Sequence, residues 1–191
     1  MPAAFQERLA GWPTPPPQEL LLYRFVPQGD LEKKLPPDYL FTSGNPGRYN
    51  PKKVNAFYAS QDATIAGAEL DRRLAQMPKG RVPPRQVLYS IKANLSVLDL
   101  SDADTLQHLR LTRADLATEW EFALVPTPTQ RLGHAVSMQT RFAAINAPSD
   151  AAAARKLAGV NYIIFPSAIV APMSVVIHDD DGNEIQRWPA P

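Results

Sequence analysis

The chain contains no cysteine. That removes disulfides, thiolate nucleophiles and zinc–thiolate centres, and it agrees with a reducing cytosol. Histidine is scarce. His108, His134 and His178 are widely spaced and none falls in an HxxxH or HxxE pattern, so neither a metal site nor a Ser–His–Asp triad is expected. The formal net charge is +1, which gives no basis for general binding to nucleic acid or to an anionic membrane surface. No apolar run approaches the roughly 18–20 residues needed to span a bilayer. The opening MPAAFQERLAGW lacks the apolar stretch of a signal peptide. No GxGxxG, P-loop pattern or internal repeat is present. The acidic DDDGN at 179–183 lacks the distal glutamate of a calcium loop and reads as a hairpin turn. Together these absences describe a soluble, cytoplasmic, metal-free domain.

Proline is plentiful instead: 20 of 191 residues, against about 5% in average usage. Such a chain favours short helices, extended strands and rigid turns. The sequence divides into a Pro-rich N-terminal extension, 1–19, and a folded core, 20–191, forming one domain. Short apolar segments at 20–26 (LLLYRFV), 55–60, 86–95, 97–100, 141–146, 160–165, 174–178 and 184–188 read as strands. Helices are expected from Asp62 to about Met77, around 102–111 and 112–120, from Thr129 as cap to about Met138, and over 150–158. Strands and helices do not alternate strictly. The expected fold is therefore α+β, with a mainly antiparallel or mixed, split sheet and flanking helices.

The chemistry concentrates in SGNPGRYNPKKVNAFYASQDATIAGAE, residues 43–69. Its first part packs glycines, prolines and asparagines into consecutive turns and presents Arg48 and Tyr49 between them. A rigid loop holding one planar, five-donor cation suits a phosphate or carboxylate. Tyr58 follows in a short strand. Glu69 follows on a helix whose apolar stripe is Ala66, Leu70, Leu74 and Met77, and it lies roughly 90° off that stripe at 3.6 residues per turn. Upstream, Arg24 interrupts an apolar strand and requires a partner or a cleft. Each residue also has a plain structural explanation: Arg24 in a surface ion pair, Glu69 at a helix boundary, Ser149 as a helix cap. Asp115, Glu119 and Glu121 read as surface charges, and Trp120 and Phe122 as core.

The order YRFVP, PGRYNP, AFYAS, AGAEL, then PTPTQRLG and a Pro-Ser pair ahead of an Asn-led apolar strand, resembles the RES domain family. The resemblance spans about Tyr23 to Phe165. It implies an ADP-ribosyltransferase-like fold and a toxin of a bacterial toxin–antitoxin pair that degrades NAD+. NAD+ is then substrate, with no cofactor and no metal. A cognate Xre-like antitoxin is the implied protein partner, with an oligomer of the two possible. By the same resemblance Glu69, Arg48 and Ser149 are the catalytic group, and Arg24, Arg48, Tyr49 and Tyr58 bind NAD+. Two Pro-Ser pairs compete for the serine. Ser149 is preferred to Ser167 because it precedes the Asn161-Tyr162 strand. Water, phosphate or a protein side chain remain open as acceptor. The Glu-x-Glu pattern of arginine-directed transferases is missing, since Gly67 stands two residues before Glu69.

Overall fold

Ten residues of nearly continuous extended chain, β1 (Gln18–Pro27), run through the middle of a single eight-stranded sheet. The computed structural model of the protein describes residues 3–32, 40–42, 44–178 and 181–189. Ahead of β1 lies helix α1 (Ala3–Gly11), and directly after it the short α2 (Gln28–Glu32). Then follow β2 (Phe57–Ser60), α3 (Ala63–Ala75), β3 (Gln86–Leu95), β4 (Val97–Asp99), α4 (Ala103–Leu109) and α5 (Arg113–Leu116). The chain continues with α6 (Pro128–Ser137), β5 (Ala144–Pro148), α7 (Asp150–Ala154), β6 (Val160–Ile164), a 3-10 turn at Pro166–Ala168, β7 (Ser174–His178) and β8 (Glu184–Trp188).

The strand order is β4-β5-β6-β2-β1-β3-β7-β8. Only β4 and β5 run parallel; every other neighbouring pair is antiparallel. β1 and β3 are paired along their whole length, from Gln18↔Leu95 to Pro27↔Gln86. β1 and β2 share one register pair, Tyr23↔Ser60. The sheet therefore opens between β1 and β2, and the mixed, split α+β architecture read from the sequence is what forms.

Period-2 patterning explains the strands. On β3 the side chains of Tyr89, Ile91, Ala93 and Leu95 are buried while those between them point outward. On β1, Leu22 and Val26 are buried and Arg24 stands between them on the same face. Helix starts follow local capping chemistry. Asp62 accepts the Ile65 N–H and Asp102 the Thr105 N–H, at 2.8 Å each. The core joins both halves of the sheet to α1, α4 and α6, with Phe57, Phe142 and Phe165 among its largest fully buried side chains.

Several expectations need correction. Phe5 and Leu9 of α1 are buried in the core, so the N-terminal segment is built into the fold instead of preceding it. Residues 33–39 after α2 lie outside the described residues, as do Asp179 and Asp180 of the expected hairpin turn. Arg141 does not begin a strand. Its guanidinium donates to the carbonyls of Leu9, Ala10 and Trp12 and closes the C-terminal end of α1, while β5 starts three residues later. The cap of α6 is Thr127, not Thr129, because Pro128 fills the first helical position where no N–H is needed. Of the expected stripe on α3 only Ala66 is buried, and Leu70 lines a cleft; the covered face of the helix is carried by Ile65, Ala66 and Ala68. Phe122 is 81% exposed and not core.

Candidate active site

The opening between β1 and β2 continues into a cleft of about 440 Å³. Residues of β1, β2, α3, the 47–49 loop, the start of α7 and Asn161 of β6 line it. Arg24, Arg48, Tyr49, Tyr58 and Glu69 all line this cleft, and Ser149 touches it through Glu69.

Glu69 lies at the centre of a relay of hydrogen bonds. Its Oε1 accepts the Ser149 hydroxyl at 2.7 Å and the Asn161 amide at 2.6 Å. Ser60 and Asn161 are direct cross-strand partners, and the Ser60 hydroxyl donates to Asn161 Oδ1 at 2.8 Å. That bond fixes which end of the amide faces Glu69. Ser149 is 2% exposed and also accepts the Ala152 N–H at 3.0 Å as the cap of α7. Capping and gripping the carboxylate are thus two functions of one hydroxyl. With Oε1 doubly held, Oε2 meets only Arg72 among the described residues, at 3.4 Å, and the Glu69 side chain is 25% exposed. A half-solvated pair of this kind is weak and readily displaced.

Arg24 bridges the split in the sheet. Its Nη1 donates to the Tyr58 carbonyl at 2.6 Å, and its guanidinium lies 5.4 Å from the centre of the Phe57 ring. No carboxylate among the described residues pairs with it. Burial, reinforced by the neighbouring Arg73 charge, lowers its pKa to about 10. A partly buried, uncompensated cation in a cleft is a prepared anion site. Arg73 itself stands at the cleft rim, donating to Gln86 Oε1 at 3.0 Å.

Arg48 is more committed than its loop position suggests. Nη2 pairs with Asp150 at 3.0 Å and Nη1 donates to the Leu116 carbonyl at 2.7 Å, so it ties α5 and α7 across the cleft. Tyr49 is 4% exposed. The Tyr58 hydroxyl accepts the Tyr49 N–H at 3.0 Å and donates to Asn50 Oδ1 at 2.8 Å. Both phenols are raised well above the ordinary tyrosine range by burial, so they remain neutral. The Tyr58 hydroxyl is therefore spent on the loop, and only its ring is presented to the cleft.

The N-terminus of α6 shapes that loop. Thr127 and Gln130 form a capping box. Gln130 Nε2 donates to the Gly47 carbonyl at 2.9 Å, and the Thr129 hydroxyl to the Arg48 carbonyl at 2.7 Å. Gly133 lies against the next carbonyl: a Cβ there would sit 1.6 Å from Tyr49 O. Gly47 is constrained less severely, since a Cβ would come within 2.7 Å of the Tyr58 hydroxyl and of Asn50 Oδ1. Asn50, fully buried, donates to the carbonyls of Asn45 and Val54 and to Thr42 Oγ1.

Ser167, the rival serine, donates to the Ser137 carbonyl and lines a different depression, beside Lys52 and Met138. Sequence reasoning missed Ser60 and Asn161 as holders of Glu69, Gln130 as a support of the loop, Arg73 at the rim, and Trp120, which lines the cleft. An asparagine leading an apolar strand was the one local sign of Asn161. The Thr-x-x-Gln spacing was the sign of Gln130. Among the described residues no three of His, Asp or Glu gather where they could hold a metal ion, and no helix is long and apolar enough to cross a membrane.

The fold and cleft define an α+β domain whose cleft is lined by a held carboxylate, Glu69, and by a cation, Arg24, with no carboxylate partner among the described residues. The RES domain family model matches residues 22–191, nearly the whole chain, and the protein belongs to that family. No curated protein matches the chain.

Proposed function

We propose that the protein cleaves the nicotinamide–ribose bond of NAD+, acting as the toxin of a toxin–antitoxin pair. The observation that carries the reading is the presence, in the lining of one cleft, of both the doubly held Glu69 and Arg24, which has no carboxylate partner among the described residues. NAD+ carries a diphosphate and a ribose that turns cationic as its bond to nicotinamide breaks, and each finds its complement here.

The bond between the ribose C1′ and the pyridinium nitrogen breaks, and its electron pair leaves with nicotinamide as a neutral ring. No general acid is needed. Positive charge develops on the ribose, as in glycoside cleavage. Glu69 Oε2, released from its weak contact with Arg72, stabilises that charge or holds a ribose hydroxyl. Ser149 and Asn161 keep the carboxylate in place without moving during the reaction. Arg24 binds the diphosphate. Arg48 contributes its charge and, through Asp150 and Leu116, holds the cleft walls at their spacing. Tyr58 and Tyr49 supply neutral aromatic walls. Water or inorganic phosphate attacks C1′ and loses its proton to solvent, giving ADP-ribose or its phosphate ester. This reaction consumes the cell's NAD+, so an antitoxin that covers the cleft is the expected protein partner, and the cytoplasm the place of action.

The test is release of nicotinamide from NAD+ by the purified protein, with and without phosphate and with no protein acceptor. Wild type is expected to turn over. Glu69→Gln retains an oxygen for Ser149 and Asn161 but removes the charge, and is expected to lose about 10²–10³ in rate. A folded Glu69→Gln protein of unchanged rate would remove Glu69 from the chemistry. No release by wild type, together with harmless overexpression, would overturn the enzymatic reading.

A further inference from the structure

The segment between α5 and α6, residues 117–127, is joined to the body of the protein at its two ends. At one end Leu116 is buried and its carbonyl is held by Arg48; at the other, Thr127 is buried in its capping box. Between these anchors the segment carries four large apolar side chains. Phe122, Leu124 and Val125 are 81%, 101% and 71% exposed. Trp120 alone of the four lines the cleft, and Glu121 lines it beside Trp120.

The chain has three tryptophans. Trp12 stacks on His108 with ring centres 4.5 Å apart, and Trp188 meets Phe41 edge-on at 5.1 Å. Both pack against the core. Among the described residues Trp120 has no ring partner, its indole N–H donates no hydrogen bond, and it does not belong to the side chains packed on the core. A partly buried indole whose face is unmatched by protein and which is directed into a cleft can bind a planar ring. The adjacent Glu121 carboxylate adds a preference for a positively charged one.

We propose that Trp120, with Glu121, is the platform for a cationic pyridinium ring, the nicotinamide end of NAD+. This rests on the NAD+ reading above and adds to it the residue that holds the leaving group. An indole face attracts a cation through its ring quadrupole. The pyridinium loses its charge when the C1′–N bond breaks, so the attraction is strong for substrate and weak for product. Such a contact acts on the ground state: it lowers KM and leaves neutral nicotinamide only weakly held, but it does not lower the barrier itself.

Two measurements test it. Trp120→Ala is expected to raise KM for NAD+ by about tenfold, more than it lowers kcat, with Trp120→Phe recovering most of the loss. Independently of turnover, 1-methylnicotinamide, a cationic pyridinium, is expected to quench tryptophan fluorescence in wild type. The quenching should be absent in Trp120→Phe, whose remaining tryptophans are each paired with a protein ring, and weaker with neutral nicotinamide or AMP. If wild type releases nicotinamide and Trp120→Ala keeps its KM, the platform is refuted while the NAD+ reading stands. If wild type shows no turnover but the cation still quenches Trp120, the platform stands and the reaction is wrong. Equal quenching by AMP and 1-methylnicotinamide would refute selectivity for the cationic ring, and no quenching by 1-methylnicotinamide would refute the platform outright.

Discussion

Replacing Arg24 by methionine separates a binding cation from a structural one. Lowering a guanidinium to about 10 corresponds to about 3 kcal/mol of destabilisation of its charged form. The cleft is open to water, which reduces that figure to about 2 kcal/mol. Against this stand the bond to the Tyr58 carbonyl, about 1 kcal/mol, and the contact with Phe57, about 0.5–1 kcal/mol. Methionine fills a similar volume without charge. Arg24→Met is therefore expected to be as stable as wild type at pH 7, or up to about 0.5 kcal/mol more stable, while NAD+ cleavage is lost. Urea titration followed by circular dichroism measures the first and nicotinamide release the second. The pH dependence has a definite sign. The folded-state pKa lies below the unfolded one, so the penalty is fully present below pH 10 and shrinks as pH rises through it. Any stability advantage of the variant should then narrow between pH 9 and the alkaline limit of folding. Had Arg24 been one half of a buried ion pair, its removal would cost about 3–5 kcal/mol. A loss of that size would refute the assignment of Arg24 as an uncompensated anion site.

Two further substitutions test the supports of the site. Gly133→Ala drives a methyl group into the Tyr49 carbonyl, so α6 and the 47–49 loop must separate; a loss of about 2–3 kcal/mol in a denaturant titration and a larger loss of activity are expected. Asn161→Asp places a second carboxylate against Glu69 Oε1 in place of a donor. Like charges at this distance raise a carboxyl pKa, so the activity of the variant should appear only at higher pH than that of wild type; an unshifted pH profile would show that Asn161 does not govern the charge of Glu69.

What the sequence revealed and what it hid divide along sequence separation. Arg24 stood out because an apolar run closed by Pro27 has no place for a charge. Arg48, Tyr58 and Glu69 stood out because a turn, a strand and a helix follow one another within the same short stretch. The split sheet was legible in its short, non-alternating elements. The grip on Glu69 was not, because it depends on Ser60 meeting Asn161 across β2 and β6, a register fixed by tertiary packing. The burial of α3 was overestimated for the same reason. Helical periodicity identifies an apolar face but does not say that half of it will overhang a cleft. Phe122 was misjudged because hydrophobicity alone does not supply a surface to pack on. Thr127 was a different kind of miss, since Pro128 and Gln130 already marked it as the cap.

The seating of the 47–49 loop on α6 has a consequence for how such a site can change. Thr129, Gln130 and Gly133 address three successive backbone carbonyls and make no demand on the side chains that project from them. Loop shape and loop chemistry are thus separately encoded, one in the helix and the other in the loop itself. A new side chain at position 48 would inherit a backbone already seated on α6, with loss of the Arg48 bonds to Asp150 and the Leu116 carbonyl, whereas Tyr49 is itself buried in the core and is not free to vary.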